Sequence, residues 1–84
     1  MQSLIITKDF GELNYHLSLM DESNHIIEKI ESAQSNLITS IQHMRQVSND
    51  LRTVYFRCDK QMIPPSIMNN LINYDFNGLE IKFV

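Results

Sequence analysis

Leu13, Tyr15, Leu17 and Leu19 interleave with Asn14, His16, Ser18 and Met20. This period of two puts the large apolar side chains on one face of an extended segment. Upstream, Ser3 to Lys8 reads Ser-Leu-Ile-Ile-Thr-Lys, whose β-branched content favours a short strand. Between them, Asp9-Phe10-Gly11-Glu12 has turn chemistry, with Gly11 able to take a positive φ. The pattern predicts a β-hairpin over residues 3–20. A competing reading starts a helix near residue 12, since Leu and Glu favour helices.

The period then changes. Asp21-Glu22-Ser23-Asn24 is a helix-start cluster, with Asp21 or Ser23 placed to cap backbone N–H groups. From there to Lys60 the chain contains neither Pro nor Gly. One heptad position holds Ile30, Leu37, Met44, Leu51 and Cys58; the other holds Ile26, Ala33, Ser40, Val47 and Val54. Spacings alternating between four and three are the seam of a coiled coil. Ile27, Ile41 and Tyr55 lie one position beyond the second set and widen the stripe. The pattern predicts a single amphipathic helix over residues 21–60. Breaks are conceivable at Ser35-Asn36 and Ser48-Asn49-Asp50, which are weak helix formers. Neither place has Gly or Pro, so the unbroken helix is the reading adopted.

Pro64 and Pro65 end that helix and open a short second one over residues 64–73, with Ile67, Met68, Leu71 and Ile72 on one side. Asn77-Gly78 signals a turn. Leu79, Ile81 and Phe83 then alternate with Glu80 and Lys82, which predicts a terminal strand over residues 79–84 paired with the N-terminal hairpin. The expected fold is therefore α+β in a single small domain. Its parts are a hairpin, one long heptad-patterned helix, a short helix and a C-terminal strand. The alternative is a mostly α helical hairpin or coiled coil.

A helix of about 39 residues would run roughly 58 Å, far beyond a compact chain of this size. Its overhang would expose apolar residues at ~1.5–3 kcal/mol each. Self-association along Ile26, Ile30, Ala33, Leu37, Ile41, Met44, Val47, Leu51, Val54, Tyr55 and Cys58 is the expected solution, as a homodimer or higher oligomer. Acidic residues at 21–31 and basic residues at 45–60 would complement the helix dipole and favour an antiparallel partner.

Composition narrows the function classes. Seven basic residues against ten acidic ones give a net charge of -3, which argues against nucleic acid and anionic membranes as partners. Cys58 is the one cysteine, so an intramolecular disulfide and a cysteine zinc site are both excluded. A reducing, cytoplasmic setting follows. Met1 to Asp9 lacks the charged and apolar regions of a signal peptide, and no window is apolar enough for a membrane span.

No catalytic constellation emerges. His25 and His43 share a helical face yet would stand ~27 Å apart, too far to ligate one metal. Cys58 has no base assigned to it and reads as a small buried hydrophobe. Glu28 with Glu31 lies on a solvated face. Arg45, Arg52, Tyr55 and Arg57 could form a nucleic-acid strip, but interhelical ion pairs explain them better. Phosphate loops, dinucleotide fingerprints and zinc motifs are missing. The expectation is a non-enzymatic protein–protein interaction module without cofactor or metal, working as an adaptor, chaperone-like or assembly factor. A phage- or bacterial-type regulatory inhibitor that blocks a target protein is the alternative.

Overall fold

A computed structural model describes residues 2–8, 14–58, 63–73 and 78–84. In chain order the elements are β1 (Gln2–Thr7), β2 (Asn14–Met20), β3 (Ile26–Ala33), α1 (Leu37–Val47), β4 (Leu51–Arg57), α2 (Pro65–Asn73) and β5 (Glu80–Phe83). The strands form one five-stranded sheet in the order β3-β2-β1-β4-β5. β1 and β2 are antiparallel, as are β2 and β3, whereas β4 runs parallel to both β1 and β5.

The long helix predicted over residues 21–60 is not formed. Its first third is strand β3, its middle is the three-turn helix α1, and its last part is strand β4. The breaks fall at the weak helix formers: a 3-10 turn occupies Gln34–Asn36, and Ser48 to Asp50 carry the chain from α1 into β4. Local propensity explains both strands. Ile26-Ile27-Glu28-Lys29-Ile30 and Thr53-Val54-Tyr55-Phe56 are rich in β-branched or aromatic residues, which suit a pleated surface better than a helix. A spacing of four and three is also met by mixed alternation, so the heptad count could not separate the two. The longest dimension of the molecule is 30 Å, about half the span of the expected helix. The helical-hairpin alternative fails because residues 26–33 and 51–57, which would lie in its two arms, are strands.

The hairpin turn that replaces the expected helix start is built by Asp21. Its carboxylate accepts from the backbone N–H of Ser23 at 2.9 Å and of His25 at 2.8 Å. Asn24 takes a left-handed conformation, φ 64°, which asparagine tolerates better than most residues. The helix-capping residues are thus turn residues, because the same side-chain acceptors serve both structures. These two hydrogen bonds hold the Asp21 carboxyl below the usual aspartate range.

The terminal strand is present, but it pairs with β4, in parallel, and not with the hairpin. The turn expected at residues 9–12, the end of the expected helix at 59–60 and Asn77 lie outside the described residues.

Alternation now assigns the faces. Leu4, Ile6, Tyr15, Leu17, Leu19, Val54 and Phe56 point to one side and are fully buried. Leu37, Ile41 and Met44 of α1, with Ile63, Ile67 and Leu71 around α2, close the same core. Phe56 stacks on Phe83 with ring centroids 5.3 Å apart. Both crossovers, β3–α1–β4 and β4–α2–β5, move in the same direction across the sheet. Right-handed connections then place both helices on one face. Ser40 in α1 donates to Ser32 in β3 at 2.7 Å, and Arg45 reaches the Leu51 carbonyl, so polar contacts fix the helix on the sheet.

Candidate functional site

The opposite face of the sheet carries no helix among the described residues. Ser3, Ile5 and Thr7 from β1 stand there beside His16, Ser18 and Met20 from β2 and Thr53, Tyr55 and Arg57 from β4. All of them are half-buried or exposed. A sheet face open to water bears mainly polar side chains. Ile5, Met20 and the ring of Tyr55 depart from that, and they cluster.

The register explains the cluster. Ile5 pairs with Tyr55 across β1 and β4, and Ser3 pairs with Met20 across β1 and β2. The β2–β3 turn brings Asn24 to the rim. Ser3, Ile5, Met20, Asn24, Tyr55 and Arg57 line a groove of about 580 Å³. No carboxylate lines it. Arg57 supplies a cation at one end, and Lys82 stands over the Tyr55 ring, its Nζ 5.9 Å from the centroid. Lys82 also meets Glu80 at 3.5 Å. Further along the face, His16 Nδ1 lies 3.3 Å from Glu31. The groove therefore offers an aliphatic and aromatic floor with positive charge at its edge.

A second feature sits on the helix side, past the carboxyl ends of β1 and β4. Lys8 Nζ lies 5.1 Å from the centroid of the Tyr15 ring. The Tyr15 hydroxyl is buried and has no hydrogen-bond partner among the described residues. Burial first, and then the neighbouring Cys58, pushes this hydroxyl above the ordinary tyrosine range.

The chain matches no protein-family model, and no curated protein and no solved structure shows significant similarity to it.

The residues expected to form one helical seam are dispersed. Leu37, Ile41, Met44, Leu51 and Val54 are fully buried inside this chain's own core. Ile30 and Cys58 pack against that core from its margin. Ile26 and Ala33 are exposed on β3, and Val47 is exposed at the end of α1. Only Tyr55 falls in the groove. Of the arginine strip, Tyr55 and Arg57 do share a face, whereas Arg45 and Arg52 turn to backbone carbonyls of Leu51 and Asn49. Sequence reasoning missed Ser3, Ile5, Met20 and Asn24 altogether. Period-two alternation through Thr53, Tyr55 and Arg57 was the available signal. Among the described residues no group of three or more His, Cys, Asp or Glu side chains could hold a metal ion. None of their helices is long and apolar enough to cross a membrane.

Proposed function

We propose that this protein is a small, non-catalytic protein-interaction module that binds its partner on the helix-free face of the sheet. The observation that carries this reading is the groove over Ile5, Met20 and Tyr55 with Arg57 at its end. Its chemistry suits an extended segment of a partner protein in which a carboxylate neighbours an aliphatic or aromatic side chain. The apolar residue would lie on Ile5 and Met20, and the carboxylate would meet Arg57 in a charge-assisted hydrogen bond. An adaptor or a regulatory inhibitor would both use such a surface, and the lone Cys58 fits a cytoplasmic setting.

Selection of a displayed random-peptide library against the protein tests this. Enriched peptides are expected to pair an acidic residue with a large apolar one. The Arg57→Glu variant is expected to bind them at least about tenfold more weakly, since it turns an attraction into a repulsion. Arg57 is exposed, so the variant should fold. Failure to enrich any peptide, or equal binding by both proteins, would overturn the reading.

A further inference from the structure

β3 is an edge strand, and among the described residues nothing pairs with its outer side. Exposed edges are usually blunted, because unpaired backbone groups recruit other strands. Here the edge carries Ile26 and Ile27, which are 55% and 45% exposed. We propose that β3 pairs with β3 of a second copy of this chain, in antiparallel register about Ile30.

Charge selects both the occupant and the register. Cross-strand neighbours in an antiparallel pair must lie on the same face, so each symmetric register is centred on one residue paired with its own copy. A centre at Lys29 would oppose two lysines. A centre at Glu28 or at Glu31 would oppose two glutamates. Centred on Ile30, the strand sets Lys29 against Glu31 of the second copy and Glu31 against its Lys29. Ile30 meets Ile30, and Glu28 meets Ser32, all within the regular part of β3 beyond the register shift at Ile27. The pairing thus gives two opposite-charge pairs. Lys29 and Glu31 are both exposed and share the helix-free side of β3. Glu31 Oε1 lies 3.3 Å from His16 on the same face, so the carboxylate stands above that face, where Lys29 of a second copy would arrive.

The two-fold axis would stand perpendicular to the sheet. The dimer would then be one continuous sheet, with the helix-free faces of both copies on the same side. Each copy keeps its groove, which has Asn24 of the β2–β3 turn at its rim but no residue of β3 in its lining, so this inference does not depend on what the groove binds.

The test is the solution mass by light scattering, from about 10 µM to about 1 mM, because pairing through one short edge points to a weak dimer with a dissociation constant on the order of 100 µM. Wild type is expected to pass from monomer to dimer over this range. Lys29→Glu and Glu31→Lys each place like charges opposite one another twice. Each is expected to weaken the dimer at least tenfold, with an unchanged circular dichroism spectrum. Mixing the two variants restores opposite pairs at both positions and should restore dimer, as should Lys29→Glu/Glu31→Lys in one chain. Raised salt should narrow the differences. A wild type that stays monomeric throughout would overturn the proposal. So would a dimer that survives both single variants, or one that neither the mixture nor the double variant rescues.

Discussion

Phe56→Ala is expected to destabilise the protein by about 3–5 kcal/mol, whereas Val47→Ala should change stability by less than about 0.5 kcal/mol. The contrast follows from the period that governs residues 47–57. Phe56 points from β4 into the core, is fully buried, and stacks on Phe83 of the neighbouring strand. Truncation leaves a cavity walled by two strands and the helices, which cannot collapse to fill it. Val47 ends α1 with 41% of its surface exposed, so it has little burial to lose. A heptad seam assigns the opposite roles, with Val47 inside and Phe56 outside. Thermal or urea unfolding of the two variants beside wild type measures the difference. Equal losses, or the reverse order, would reject the faces assigned to β4.

Val54→Pro is expected to abolish folding. β4 lies between β1 and β5 and is paired in parallel on both sides. Proline removes a ladder hydrogen bond and forces its ring into a strand that has neighbours on both flanks, where proline is essentially never found. It also deletes the buried Val54 side chain, which touches the core. The loss should exceed about 3 kcal/mol, a large share of the stability of a chain this small. The expected readout is a collapsed folding signal in far-ultraviolet circular dichroism at ambient temperature. A variant that unfolds cooperatively close to the wild-type midpoint would show that β4 is not a central strand.

How much of this was legible in the sequence depends on the segment. Alternation of Tyr15, Leu17 and Leu19 marked β2, and all three are fully buried on one face. Pro64-Pro65 and Ile67-Met68 marked α2, and Leu79 to Phe83 marked β5. The middle of the chain misled for a specific reason. Ile26, Ile30, Ala33, Leu37, Ile41, Met44, Val47, Leu51 and Val54 step by three or four, and each short element satisfies that spacing for different reasons. In α1 the stripe is real, since Leu37, Ile41 and Met44 face the core. In β3 it is a coincidence of apolar residues on both faces, and in β4 a register shift between Leu51 and Thr53 lets Leu51 and Val54, three apart, both enter the core.

Phe56 carried the correcting signal, because a long seam helix would have left the one phenylalanine of that segment in water. Ser48-Asn49-Asp50 carried another: turn chemistry without Gly or Pro is still turn chemistry. The groove was less legible still. Its residues come from β1, β2, β4 and the β2–β3 turn, and only the strand order β2-β1-β4 brings them together. No local pattern encodes the parallel pairing of Ile5 with Tyr55 across half the chain.

The most direct measurement is a nuclear Overhauser spectrum of the labelled protein at low concentration. Cross-strand contacts are expected between Leu4 and Val54 and between Leu17 and Ile30. The Tyr55 ring should touch Ile5 on a face that no helix side chain approaches. That result would establish together the sheet and the exposed surface on which the proposed binding rests. Unbroken sequential amide contacts from Ile26 through Arg57, the signature of one continuous helix, would contradict both.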